Sequence, residues 1–248
     1  MKKVLQLGCL AIAFLLRPTP STADSLTYSS LGNGSWVTLT LGSVTETGWA
    51  GEINWLYKTP SNTIGTLVTT YCADLFDDAK LPTQSVNTTT TAALDASIAG
   101  GTSMSINAVP HAGGKAAYLV DTFAGSAHGS NDAAAGLQIA IWQAMFGVGS
   151  FTYTAGGGVV GAANTYYHNL TNALAANQSA VYAYTATYFD VANDSTHTMW
   201  NAYGQDQIDP IVGSPEPSTV FLLLFAMTAV FAYHYRLSRR AVAMSTLR

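Results

Sequence analysis

Apolar residues change period along this chain, and each change marks a change of element. Over residues 26–74 they alternate or cluster in short β-branched runs: SWVTLTLG with Val37, Leu39 and Leu41, the aromatic INWLYK, and IGTLVTTYCAD. That period and composition predict strands. The Gly- and Asn-containing stretches 31–35 and 59–62 predict the turns between them. The following DLFDDAKLPTQSVNTTTT is polar, so Asp74, Asp77 and Asp78 read as a strand exit leading into a surface loop.

From residue 113 the period becomes helical. GGKAAYLVDTF places Ala116, Leu119, Val120 and Phe123 on one side, and the loop AGSAHGSND then leads into SNDAAAGLQIAIWQAMFG, residues 130–147. Ser130 or Asn131 caps this second helix, Asp132 suits its positive end, and Gly147 stops it in the left-handed region. Within it Ala134, Gln138, Ile141, Trp142 and Met145 recur at helical spacing, which sets a carboxamide on the stripe that faces the core. Two helices joined by so short a loop pack as antiparallel neighbours. FTYT, a glycine break at Gly156, Gly157 and Gly158, and a helix over 162–176 with Tyr166, Leu170 and Leu174 on one face come next. The strands VYAYTATYFDV and THTMWNAY and the linker QDQIDPIVGS complete the body. The expected fold is α+β: an antiparallel β-sheet or sandwich with a helical insertion between its N- and C-terminal strands.

Both ends carry targeting patterns. Residues 1–23 read as a signal peptide: Lys2 and Lys3, an apolar run over 4–16, and small residues up to a cleavage after Ala23. Cys9 leaves with it. At the other end Pro215, Glu216, Pro217, Ser218 and Thr219 precede an apolar run over 220–235 and a basic flank of Arg236, Arg239 and Arg240. About sixteen residues at ~1.5 Å each fall a little short of the hydrocarbon thickness, and snorkelling arginines close the gap. The arginines stay cytoplasmic, so the expected order is signal peptide 1–23, extracytoplasmic body 24–205, linker 206–214, sorting element 215–240 and cytoplasmic tail 241–248.

Charge and cysteine count narrow the chemistry. Between residues 24 and 214 three lysines face thirteen acidic residues, which argues against nucleic acid and anionic membrane surfaces as partners. With Cys9 removed, Cys72 is alone, and no internal disulfide can form. A buried amide needs a partner, and Cys72 is a candidate to meet Gln138.

The tail resembles the PEP-CTERM sorting signal of Gram-negative bacteria through Pro215, Glu216, Pro217, Ser218 and Thr219 and the segments after them. That resemblance implies an exosortase-type processing enzyme as partner, transient anchoring in the inner membrane, and delivery to the cell surface or the extracellular biofilm matrix. The body, with YCADLFD, GKAAYLVDTF and LQIAIWQAMFG, resembles the thioester domains of bacterial surface adhesins. Tyr71 and Cys72 match one motif of that family; Gln138, Ala140, Ile141 and Trp142 match the other, with Leu137 where the family has threonine. The resemblance implies a Cys72–Gln138 thioester in a pocket supported by Tyr71, Ala140, Ile141 and Trp142, and covalent attachment to a surface protein or polysaccharide. Such a protein is a single-use reagent and not an enzyme.

Other patterns carry less. His111, His128, His168 and His197 lack zinc-site spacing, and the aspartates after Cys72 lack the glycine of a calcium loop, so no metal or cofactor is expected. No G-x-S-x-G elbow supports a hydrolase. Gly156, Gly157 and Gly158 read as a hinge. Trp49, Trp55, Tyr182, Tyr184, Tyr188 and Trp200 have the chemistry to stack on sugars but read first as core. No regular Thr-x-Thr repeat of the kind that would build a flat ice-matching face runs through the body. A non-covalent structural or carbohydrate-binding matrix protein is therefore the alternative function.

Overall fold

A computed structural model describes residues 24–75, 82–99, 108–191 and 206–209. The fold is α+β, with a seven-stranded antiparallel sheet and four helices among the described residues. The strands are β1 (Asp24–Leu41), β2 (Val44–Thr59), β3 (Asn62–Cys72), β4 (Thr83–Thr90), β5 (Thr152–Thr154), β6 (Thr187–Val191) and β7 (Gln207–Asp209). The helices are α1 (Thr91–Ala99), α2 (Ala112–Ala127), α3 (Asn131–Phe146) and α4 (Gly157–Tyr182).

The sheet is not a sandwich. Its pairings run β1 to β2, β3, β7, β6, β4 and back to β1, so six strands close into a ring. A ring this small is filled by side chains, here Leu26, Ile53, Trp55, Val86 and Phe189 from four of its strands. The outer half of the β1–β2 hairpin continues past the ring. There Val37, Leu39 and Ala50 join the helices in a second, larger core, and β5 adds to the β1 edge at Thr38, Leu39 and Thr40.

Several boundaries differ from expectation, each for a local reason. Residues 31–35 do not turn; β1 continues through them with register shifts against β2, and the hairpin turns at Gly42, whose φ of +59° suits glycine. TQSVNTTT forms β4 and not a loop, because it is rich in β-branched residues and its exposed Thr83, Ser85 and Asn87 alternate with inward Gln84 and Val86. The first predicted helix runs on through AGSA to Ala127. The helix expected over 162–176 spans Gly157–Tyr182, with a non-helical residue at Asn177, so Val181 and Tyr182 are helical and the strand starts only at Thr187.

Gln207–Asp209, read as the start of a linker, is the strand that closes the ring between β3 and β6, so the body extends past residue 205. No helix among the described residues is long and apolar enough to cross a membrane. The expected signal peptide, Asp77 and Asp78, THTMWNAY with His197 and Trp200, the expected sorting motif, the apolar run 220–235 and the arginines after it lie outside the described residues.

Helix α3 is the centre of the larger core. Ser130 accepts from the backbone N–H of Ala133 at 3.4 Å, and Gly147 ends the helix at φ +89°, ψ 148°, a conformation open to glycine but outside the left-handed helical basin. From Ala134 to Phe146 every residue except Gln143 is buried. The helix is thus wrapped on all sides instead of presenting one stripe. Gln138 is fully buried within it.

Candidate functional site

Strand β3 ends in the core at Tyr71 and Cys72, and α3 crosses there. The last register pair of β2 with β3 is Glu52 with Tyr71. One residue further, the Gln138 carboxamide takes both backbone groups of Cys72: the Cys72 N–H donates to Oε1 at 2.8 Å, and Nε2 donates to the Cys72 carbonyl at 2.8 Å. The side chain does what another strand residue would do, and two buried peptide groups are satisfied. On the opposite edge Cys72 is in register with Gln207 of β7.

The Cys72 thiol is buried and donates to the Asp74 carbonyl at 2.5 Å. Burial, and then the charge of Asp74, push it well above the usual thiol range, so it is a neutral S–H at ordinary pH. The indole N–H of Trp142 acts in the opposite sense and favours the thiolate, although it meets no strict hydrogen-bond geometry with any described residue. Tyr71, Ala140, Ile141 and Trp142 are all buried in the same core as Cys72. Phe151 stands edge-on to Trp142 at 6.4 Å between centroids. Together these residues exclude water from the Cys72–Gln138 contact.

Two buried carboxyls beside this contact were not legible in the sequence. Asp206 is buried; it accepts from the Tyr188 hydroxyl at 2.5 Å and the Val191 N–H at 2.9 Å, and its own carbonyl accepts from Ala73 N–H at 2.8 Å. Glu52 is buried too, and accepts from the Asn33 N–H at 3.1 Å and the Tyr71 hydroxyl at 3.4 Å, with His128 Nδ1 at 3.0 Å. His128 is exposed on its other side, and its carbonyl accepts from the Asn33 carboxamide. This cluster ties the irregular part of the hairpin to the loop between α2 and α3. Nothing local marks Glu52 or Asp206 as buried, and the polar DQID of 206–209 reads as linker.

Asp74, read as a surface exit, is buried as well. The aromatics separate: Trp55 and Tyr188 are core, Tyr182 stacks on His111 at 3.9 Å, Tyr184 meets Tyr118 edge-on, and Trp49 is half-buried. No group of three or more His, Cys, Asp or Glu among the described residues is placed to hold a metal ion.

The buried carboxyls predict a pH dependence. Burial, then Asp74, raises Asp206 well above the ordinary carboxyl range, and burial raises Asp209 to about 7. In the unfolded chain both titrate near ~3.9. A raised folded value favours the acid form, so the stability these groups contribute is fully present below about pH 4 and is lost as pH rises through the folded values. Urea unfolding at successive pH values should show stability falling from pH ~4 to ~7, by at most ~1.4 kcal/mol per pH unit per group. Asp209→Asn should flatten that fall; an unchanged slope would refute the assignment.

Comparison of the chain with protein-family models, with curated proteins and with solved structures finds no match.

Proposed function

We propose that this chain is an exported surface or biofilm-matrix protein that attaches covalently to partner amines through a Cys72–Gln138 thioester. The observation that supports it most is the doubly hydrogen-bonded contact of the Gln138 carboxamide with the backbone of Cys72 in a dry core. The Cys72 N–H already polarises the Gln138 carbonyl, as a donor to the tetrahedral oxyanion must. Sulfur attacks the carboxamide carbon, a C–S bond replaces C–N, and the thiol proton leaves on the nitrogen as ammonia. A primary amine later takes the acyl group and returns the thiol. The neutral thiol makes the first step slow, which suits a bond made once per molecule.

The ends of the chain carry the rest of the reading. Pro215, Glu216, Pro217, Ser218 and Thr219 serve as the exosortase signal, the 220–235 run spans the inner membrane, and Arg236, Arg239 and Arg240 hold its cytoplasmic end. The source cell then encodes an exosortase, and deleting residues 215–240 releases the body to the medium.

Intact mass tests the covalent step. The wild-type chain should be one ammonia lighter than its sequence, should regain mass with methylamine at Gln138, and should differ in both respects from Cys72→Ala. A full mass with a thiol that titrates on denaturation would leave Gln138 as a structural strut and the protein as a non-covalent matrix component.

A further inference from the structure

The outer half of the β1–β2 hairpin carries a second surface, on the face opposite Val37 and Leu39. Three Thr-x-Thr segments, TLT at 38–40, TET at 45–47 and TYT at 152–154, are scattered in the sequence and form no repeat. The fold brings them side by side. Thr38 is in register with Thr47 on one side and Thr154 on the other, and Thr40 with Thr45 and Thr152. The result is two parallel rows of three threonines across β5, β1 and β2. Hydroxyls pair across the hairpin, at 3.3 Å for Thr38 with Thr47 and 2.9 Å for Thr40 with Thr45.

Directly beyond these rows on the same face stands the register pair Trp36 and Trp49. Trp36 is 63% exposed, the most exposed tryptophan of the described core strands. It is not loose: its ring meets Trp49 edge-on at 5.7 Å and 76°. Trp49 is itself pinned, its indole N–H donating to the Glu52 carbonyl at 3.1 Å and its ring lying over Gly34, where a Cβ would come within 2.6 Å. A large apolar ring already packed against a neighbour loses less freedom on binding than a solitary one.

We infer that this face, with Trp36 as its stacking residue and the paired threonine rows as its hydrogen-bonding floor, binds a neutral polysaccharide chain. A sugar ring offers a C–H face to an aromatic ring and hydroxyls to hydroxyls, and threonine both donates and accepts. The outward positions of the three strands hold tryptophan and threonine only, with no charge, so the occupant they match is uncharged. From Trp36 to Thr40 the face is ~13 Å long and ~10 Å wide, which suits an extended polymer and not a small ligand in a cavity. The site is independent of Cys72 and reversible.

The test uses the full chain carrying Cys72→Ala, which removes any covalent capture, against cellulose and chitin particles and soluble xyloglucan, with alginate as the anionic comparison. Retention on at least one neutral glycan is expected, little changed by salt and weaker on alginate. Trp36→Ala should reduce affinity at least about tenfold, as loss of an anchoring aromatic does. Thr40→Val with Thr45→Val should reduce it severalfold, and Glu46→Ala, on the other face of β2, should leave it unchanged. Circular dichroism confirms that each variant is folded. Absence of binding to all three neutral glycans, binding that Trp36→Ala leaves intact, or salt-sensitive preference for alginate would each overturn the inference. So would shaping of growing ice crystals that the valine pair abolishes while glycan binding is nil.

Discussion

Replacing Gln138 with leucine is expected to destabilise the fold by ~2–6 kcal/mol, because the Cys72 N–H and carbonyl each lose a buried partner at ~1–3 kcal/mol apiece. Leucine keeps most of the volume, so the loss reports the two 2.8 Å bonds and not a cavity. Gln138→Glu makes the experiment specific. A carboxylate can accept from the Cys72 N–H but cannot donate to the Cys72 carbonyl; a protonated acid can do both. That variant should therefore be most stable at acidic pH and lose stability as the buried acid ionises. Urea unfolding over a range of pH decides it, with both variants made in the Cys72→Ala chain, where no thioester can form and the carboxamide of the reference stays intact. If Gln138→Leu is neutral, the carboxamide does not hold the end of β3, and the contact has no structural weight either.

The second large effect is expected at Gly136, where α3 crosses α4. A Cβ built there would lie 2.4 Å from the Ala162 Cβ and 2.7 Å from the Ala163 nitrogen, so the backbone of α4 itself is in the way. Gly136→Ala gains up to ~1 kcal/mol of helix propensity, but forcing the helices apart costs about 1–3 kcal/mol. Net destabilisation is expected, and Gly136→Val should be worse. Gly125, also helical but with open space where its Cβ would go, is the control. Gly125→Ala should be neutral or stabilising by up to ~1 kcal/mol. Thermal melts of the three variants suffice; equal behaviour of the two alanine variants would mean that α3 and α4 are not in close contact. Because α3 carries Gln138, loosening this crossing should also weaken the Cys72 contact.

Local signals were read well where they are self-contained. Ser130, Gly147 and the apolar run between them delimit α3 to within a residue, since a cap and a helical period need only neighbours in sequence. The three N-terminal strands were legible for the same reason. Boundaries failed where a local signal has two outcomes: glycine and asparagine in 31–35 make a register shift as readily as a turn, and the threonine-rich 83–90 is polar like a loop but β-branched like a strand. Burial failed for Glu52, Asp74 and Asp206, because a carboxylate is buried only when distant partners such as Tyr71, Asn33 or Tyr188 arrive to bond it.

By itself the sequence determined an acidic stretch of early strands, central helices and a strand after them, with one cysteine at the end of the early strands and a carboxamide on an apolar helix, because composition and short periods are properties of the chain alone. Only the tertiary structure decided that Cys72 and Gln138 meet across 66 residues, that Gln207–Asp209 closes the ring, and that three scattered Thr-x-Thr segments share one face. Register between distant strands follows from which faces can be buried together, and that is a property of the whole packed core, not of any window of sequence.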